Sequence, residues 1–231
     1  MRIGILGGTF NPVHYGHLIS ANEAVERFRL EKVIFIPAAR PPHKVQQRLI
    51  DAHHRLMMTL LATLSHPRME VSAIELEREG KSYSIHTIEE LKRSHPPETE
   101  FFFIGGCDAF MEVATWREVD RLFRACHFIV NARPGYPLKD LRGMLEETVT
   151  PLYRDLSFRD GGRDELTNCI QIVASGSPYV IYLAEAILIE ISASDIRRRL
   201  AQGRTIRYLV PDIVEQYVRK HGLYGAGQDS L

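Results

Sequence analysis

The sequence has no surplus of either charge. Its 29 Lys and Arg balance its 29 Asp and Glu over 231 residues, so nothing in the composition favours a nucleic acid or another polyanionic macromolecule as partner. Cysteine is scarce. Cys107, Cys126 and Cys169 are odd in number and widely spaced, which excludes a disulfide framework or a CxxC metal pair and suits reduced thiols in a cytoplasmic protein. No stretch approaches the roughly 18 consecutive apolar residues of a membrane span. No charged and apolar leader precedes the first strand-like segment. Neither a membrane nor a secretory destination is therefore expected.

Two phosphate motifs are also missing. The dinucleotide fingerprint G-x-G-x-x-G fails, because the first glycines fall at Gly4, Gly7 and Gly8 and the second strand ends in Pro37-Ala38. The full Walker pattern G-x-x-x-x-G-K-[ST] is absent. A bound dinucleotide cofactor of the usual kind and a P-loop are both disfavoured.

What is present is an alternation. Apolar runs at 2–6, 32–37, 69–76, 100–106, 127–135 and 186–192 read as strands. Amphipathic stretches at about 16–28, 53–64, 84–93 and 194–203, and a last one opening at Asp212, read as helices. Continuous apolar strands between amphipathic helices predict an α/β fold, a Rossmann-like, doubly wound parallel sheet with helices on both faces. The chain reads as a single domain over 1–231. Residues 136–185 break the alternation, are polar, and read as an insertion or lid. In such folds ligands bind beyond the carboxyl ends of the strands. The unusual loops here follow strands: GGTFNP, PAARPPHK, GGCDAF, NARPG and ISAS.

The first of these loops carries chemistry. Gly7 and Gly8 let an anion approach backbone N–H groups. His14 and His17, three residues apart near a helix start, can point the same way. The helix N-terminus adds free N–H groups and a positive dipole end. The combination suits a polyphosphate. A zinc pair would need a third ligand, and no Cys or Asp cluster stands nearby, so no protein-held metal is expected.

GGTFNPVHYGH (7–17) resembles the signature of the nucleotidyltransferase superfamily with the HIGH-type motif. IPAARPPHK, REGKSYSIHTIEEL, FFFIGGCDAF followed by TWREVDRL, NARPGY, ISASDIRRRL and YLVPDIVEQYVRKHGLY follow in order. They resemble the motifs of bacterial nicotinate-nucleotide adenylyltransferases over about four fifths of the chain. The departures are Asn11 for the usual Asp, Ser84 for Thr, His86 for Asp and Cys107 for Ala. The resemblance implies transfer of the adenylyl group of ATP to nicotinate mononucleotide, with magnesium held mainly by the ATP phosphates. It assigns His14, His17, Lys44 and Arg197 to the catalytic set. Gly7, Gly8, Thr9, Phe10, Gly16, Ser192, Ser194 and Ile196 are implied on ATP. Ser84, Gly106, Asp108, Trp116 and Arg133 are implied on the mononucleotide, with the Trp116 indole stacked on the pyridinium ring. A homo-oligomer is left open. Competing readings are an adenylyltransferase for nicotinamide mononucleotide or phosphopantetheine, an aminoacyl-tRNA ligase sharing the HIGH motif, and a non-catalytic nucleotide-binding protein.

Overall fold

A computed structural model describes residues 1–42, 49–132, 140–153, 155–185, 187 and 189–225. Eight strands form one sheet: β1 (Arg2–Gly8), β2 (Lys32–Pro37), β3 (Met69–Val71), β4 (Glu100–Gly106), β5 (His127–Ala132), β6 (Phe158–Arg163), β7 (Ile170–Ala174) and β8 (Val180–Glu185). Their order is β3-β2-β1-β4-β5-β8-β7-β6. The first six strands in that order run parallel, and β7 and β6 add an antiparallel ribbon at one edge. The strand order reverses direction between β1 and β4. By the rule for open α/β sheets, that switch point opens a crevice at their carboxyl ends.

The helices are α1 (Tyr15–Arg27), α2 (Ala52–Thr63), α3 (Ile74–Glu77), α4 (Ser84–Ser94), α5 (Cys107–Phe110), α6 (Val119–Phe123), α7 (Asp140–Thr148), α8 (Ala193–Ala201) and α9 (Asp212–Lys220). They cover both faces because strand residues alternate between two cores. Ile3, Ile5, Phe101, Phe103 and Phe128 pack on one side against Ile85, Ile88, Val119 and Leu145. Val33, Phe35, Phe102 and Ile104 pack on the other against Val25, Met58, Ile196 and Val214. A period of two in strands buried on both faces gives apolar residues throughout. This is why the runs read as continuous.

Three expected boundaries shift. The run at 69–76 is a strand only to Val71; Ser72 Oγ then accepts from the N–H of Ile74 (3.3 Å) and the chain turns into α3. The run at 127–135 is a strand as far as Ala132, and 133–139 lie outside the described residues. The strand expected at 186–192 is instead β8, six residues earlier. Ile187, Ile189 and Ile191 lie beyond β8 and line a cleft, so their apolar pattern marks a cleft wall and not a sheet ladder. The stretch read as an insertion holds α7 and β6 to β8, and β8 pairs parallel with β5.

Candidate active site

Two clefts, of about 400 and 410 Å³, open at the carboxyl ends of β1 and β4. They share Leu6, Thr9, His17, Gly105 and Gly106. The Gly-Gly pairs that close β1 and β4 therefore stand at one place. A Cβ added at Gly106 would meet no protein atom within 4 Å. The packing of the protein itself does not require that glycine, and the open space is the cleft.

The first cleft is built from two helix starts. His14 caps α1 in extended conformation, and Ser192 caps α8, its Oγ accepting from the N–H of Asp195 (3.1 Å). Ser192, Ser194 and Arg197 line this cleft with His14, Gly16 and His17. Two helix N-termini, the positive ends of their dipoles, thus converge with a guanidinium, which is a ready environment for a polyanion. Arg197 is held from two sides. It donates to the carbonyl of Asn11 (2.8 Å) and to Ser194 Oγ (3.2 Å).

The imidazoles are preorganised. The N–H of His14 donates to His17 Nδ1 (3.2 Å). Nδ1 accepts, so the ring proton of His17 resides on Nε2. The His17 ring stacks on His14 at 3.7 Å and meets the edge of Phe10 at 5.0 Å. His14 is buried, which lowers its pKa to about 4, so it is uncharged at neutral pH. Its Nδ1 has no hydrogen-bond partner among the described residues. A Cβ at Gly16 would stand 3.0 Å from that Nδ1. Glycine at this position leaves the His14 ring its place, which a Cβ would force to shift by a few tenths of an ångström. At Gly8 a Cβ would stand 2.9 Å from the Phe10 ring, which itself is held with a left-handed φ of 47°.

The second cleft is lined by Gly7, Gly8, Ala38, Pro41, Pro42, Tyr83, Ser84 and Trp116, among others. Ser84 opens α4. Trp116 is half-buried, its indole edge-to-face with Phe103 of β4 at 5.7 Å. Of the remaining expected residues, Asp108 is exposed on α5 and lines neither cleft. Ile196 is fully buried in the core under α8, so only its backbone could reach a ligand. Lys44 and Arg133 lie outside the described residues. Cys107 is buried at the start of α5, and burial raises its pKa. His86 faces Tyr83, edge to face at 5.6 Å. Among the described residues no group of three or more His, Cys, Asp and Glu stands together as a metal cage. No helix among them is long and apolar enough to cross a membrane.

Four further residues bear on the site and were not among the expected ones. Arg55 of α2 is 1% exposed. It donates to the carbonyls of Thr9 (2.8 Å), Ala38 (2.6 Å), Ala39 (3.3 Å) and Ile50 (3.2 Å), tying the loop after β1 to the loop after β2. Tyr224, near the end of the described chain, donates to Asn11 Oδ1 (2.7 Å), and burial pushes its hydroxyl pKa up. Asn131 at the end of β5 donates to Ser20 Oγ at the rim of the first cleft. Glu75 of α3 lies buried beside the second cleft. The one legible signal was an arginine inside the apolar helical stretch HRLMMTLLA.

Residues 5–199 match the model of the cytidylyltransferase-like family. Among curated relatives, a protein of Moorella thermoacetica named "Probable nicotinate-nucleotide adenylyltransferase" is 44% identical over 230 residues, covering 100% of this chain and 94% of its own. One of a Thermoanaerobacter species with the same name is 41% identical over 231 residues, covering 100% and 97%. Among solved structures, Plasmodium falciparum nicotinic acid mononucleotide adenylyltransferase complexed with NaAD superposes with a TM-score of 0.71 at 17% identity, covering 99% of both chains. At that identity the likeness speaks to the fold alone.

Proposed function

The chain belongs to the cytidylyltransferase-like family and, within it, to the nicotinate-nucleotide adenylyltransferases, and on that premise we propose how its two clefts transfer the adenylyl group of ATP to nicotinate mononucleotide. The products are nicotinate adenine dinucleotide and pyrophosphate. The single observation that carries the assignment of the clefts is that both reach His17. A donor on one side and an acceptor on the other would meet at that ring.

ATP occupies the first cleft and the mononucleotide the second. The mononucleotide phosphate attacks the α-phosphorus and pyrophosphate leaves. The attacker is already an anion, so the protein needs no nucleophile of its own. Its task is to align two polyanions and to match the charge that spreads over the phosphoryl oxygens. His17 Nε2–H is the donor for the transferred group. His14, uncharged, adds a second donor without repelling Arg197. Arg197 and the N-termini of α1 and α8 hold the β- and γ-phosphates, with Ser192 and Ser194 supplying hydroxyls. Gly7, Gly8, Thr9, Phe10, Gly16 and the backbone at Ile196 let the nucleotides approach the main chain. Trp116 stacks on the pyridine, and Ser84 with the start of α4 takes its carboxylate. Gly106 leaves room for the ribose and Asp108 answers its hydroxyls from the rim. Family membership supports Lys44 on the ATP phosphates and Arg133 on the mononucleotide phosphate.

Magnesium arriving with ATP would add charge neutralisation beside His17 and Arg197. A hard cation of this kind is usually held by phosphates and water, so the protein would not need to supply its ligands. We further place the protein in the cytoplasm, with small molecules as its partners and without nucleic acid or membrane. The test is pyrophosphate release by purified protein with ATP and magnesium, offered nicotinate mononucleotide, nicotinamide mononucleotide or phosphopantetheine in parallel. Release with the first at the highest kcat/KM is the expected outcome. Preference for either other acceptor overturns the assignment.

A further inference from the structure

Glu75 is a buried carboxylate that the protein itself leaves half answered. It is 7% exposed. Its Oε1 accepts from Thr87 Oγ1 (2.6 Å), whereas Oε2 is buried and has no hydrogen-bond partner among the described residues. No cation among the described residues pairs with it within 4 Å. Two guanidiniums act on this network without a hydrogen bond to the carboxylate, and the charge of Arg55 is felt by Glu75. Arg78 donates to Thr87 Oγ1 (3.0 Å) and pairs with Glu90 (3.0 Å). Arg55 spends its N–H groups on backbone carbonyls. A carboxylate removed from water without a partner cation is costly, yet this one lines the second cleft beside Tyr83, Ser84 and Trp116.

We propose that Glu75 is a specificity-determining residue of the acceptor cleft, its carboxylate recognising the positive charge of a pyridinium ring. The proposal rests on the reading of the second cleft as the mononucleotide site. That substrate is zwitterionic around its ring, with a cationic nitrogen and an anionic carboxylate. The cleft offers both complements. The N-terminus of α4, opening at Ser84, is the positive end of a helix dipole. Glu75 and the π face of Trp116 are the negative side. An uncharged ring of the same size would leave Glu75 uncompensated, so the cleft selects ring charge as well as shape.

The test compares nicotinate mononucleotide with its dihydropyridine form, whose ring is uncharged, in the wild-type protein and in Glu75→Gln. The amide keeps an acceptor for Thr87 and removes the charge. We expect Glu75→Gln to raise KM for nicotinate mononucleotide about tenfold, to leave KM for ATP within about twofold, and to shrink the preference for the charged ring over the uncharged one about tenfold. An unchanged preference, even with lower activity overall, overturns the proposal, since a merely structural role would depress both substrates alike. If Glu75→Gln does not fold, calorimetry on the wild-type protein decides. Nicotinate mononucleotide should bind at least about tenfold tighter than its benzoate C-ribonucleotide analogue, which carries the same carboxylate and phosphate on an uncharged ring. Equal affinities overturn the proposal. A wild-type protein that adenylylates no pyridine mononucleotide would instead overturn the assignment of the cleft, a separate result.

Discussion

His17 receives at its Nδ1 the hydrogen bond of the His14 backbone N–H, at 3.2 Å, and the two imidazoles stack 3.7 Å apart. The bond that begins the helix therefore also decides which nitrogen of His17 faces the ligand. The stack holds that nitrogen on the wall common to both clefts. The His17 ring is oriented before any ligand arrives, the preorganisation that the proposed mechanism needs.

Replacing His17 by Ala should lower kcat about 100-fold or more, or roughly 3 kcal/mol of transition-state stabilisation, while circular dichroism stays that of the wild type. Near-normal turnover in the folded variant would remove His17 from the mechanism.

The buried His14 predicts an acid-sensitive fold. In the unfolded chain its imidazole takes a proton near the ordinary value of 6.5, and in the folded protein only near 4. The neutral ring thus contributes stability that is fully present above pH 6.5 and lost as pH falls toward 4. The upper bound is roughly 3 kcal/mol. A His14→Asn variant keeps a good N-cap and should lose less Tm than the wild type between pH 7 and pH 4. Parallel Tm curves for the two proteins would refute this.

Gly16→Ala should separate activity from stability. Alanine in a helix is ordinarily stabilising by roughly 1 kcal/mol. Here the added Cβ meets His14 Nδ1 at 3.0 Å and must push the ring stack aside. The expected result is a Tm within a few degrees of wild type and a clear fall in kcat. Wild-type kcat would mean that the stack is not needed for turnover.

Trp116 lines the second cleft and not the first. Trp116→Ala should therefore raise KM for the mononucleotide, by up to about 30-fold if the stacking contribution is near 2 kcal/mol, and leave KM for ATP in place. Equal mononucleotide KM values in the two proteins would count against stacking.

Arg55→Met should destabilise the protein by about 3–5 kcal/mol, because the carbonyls of Thr9 and Ala38 lose a charged donor in a dry site. Since Thr9 borders both clefts, kcat/KM should fall for both substrates in whatever fraction folds. Urea denaturation gives the first quantity. A loss below about 1 kcal/mol would show the guanidinium to be dispensable.

Much of this arrangement is local in origin, and local features are what a sequence displays. The His14 and His17 spacing and Ser192 before an amphipathic helix each act within one turn of their own chain, and pattern alone places them on the correct elements. Gly7 and Gly8, expected in the loop, instead extend β1 opposite Ile36 and Pro37. AILIEIS misled for a physical reason. Its alternating isoleucines satisfy the period of a strand, but their apolar face covers a cleft, and a pattern of hydrophobicity does not say what it is hidden from. Pattern places Asp108 after a strand, but only the fold shows that it stands exposed on α5, outside the lining of either cleft and next to Ala109, which lines the second.

By itself the sequence determined the α/β class, the covered parallel strands and the family to which its ordered motifs belong, because periodicity, turn residues and short motifs are properties of neighbouring residues. Only the tertiary structure decided that β1 and β4 lie side by side, so that two separate Gly-Gly pairs face one crevice and two clefts meet at one imidazole. It alone could reveal Arg55 gathering carbonyls from three loop segments, Tyr224 holding Asn11 from the far end of the chain, and Glu75 left beside the acceptor cleft. The fate of a buried charge depends on which backbone folds around it, and those partners lie tens to hundreds of residues away.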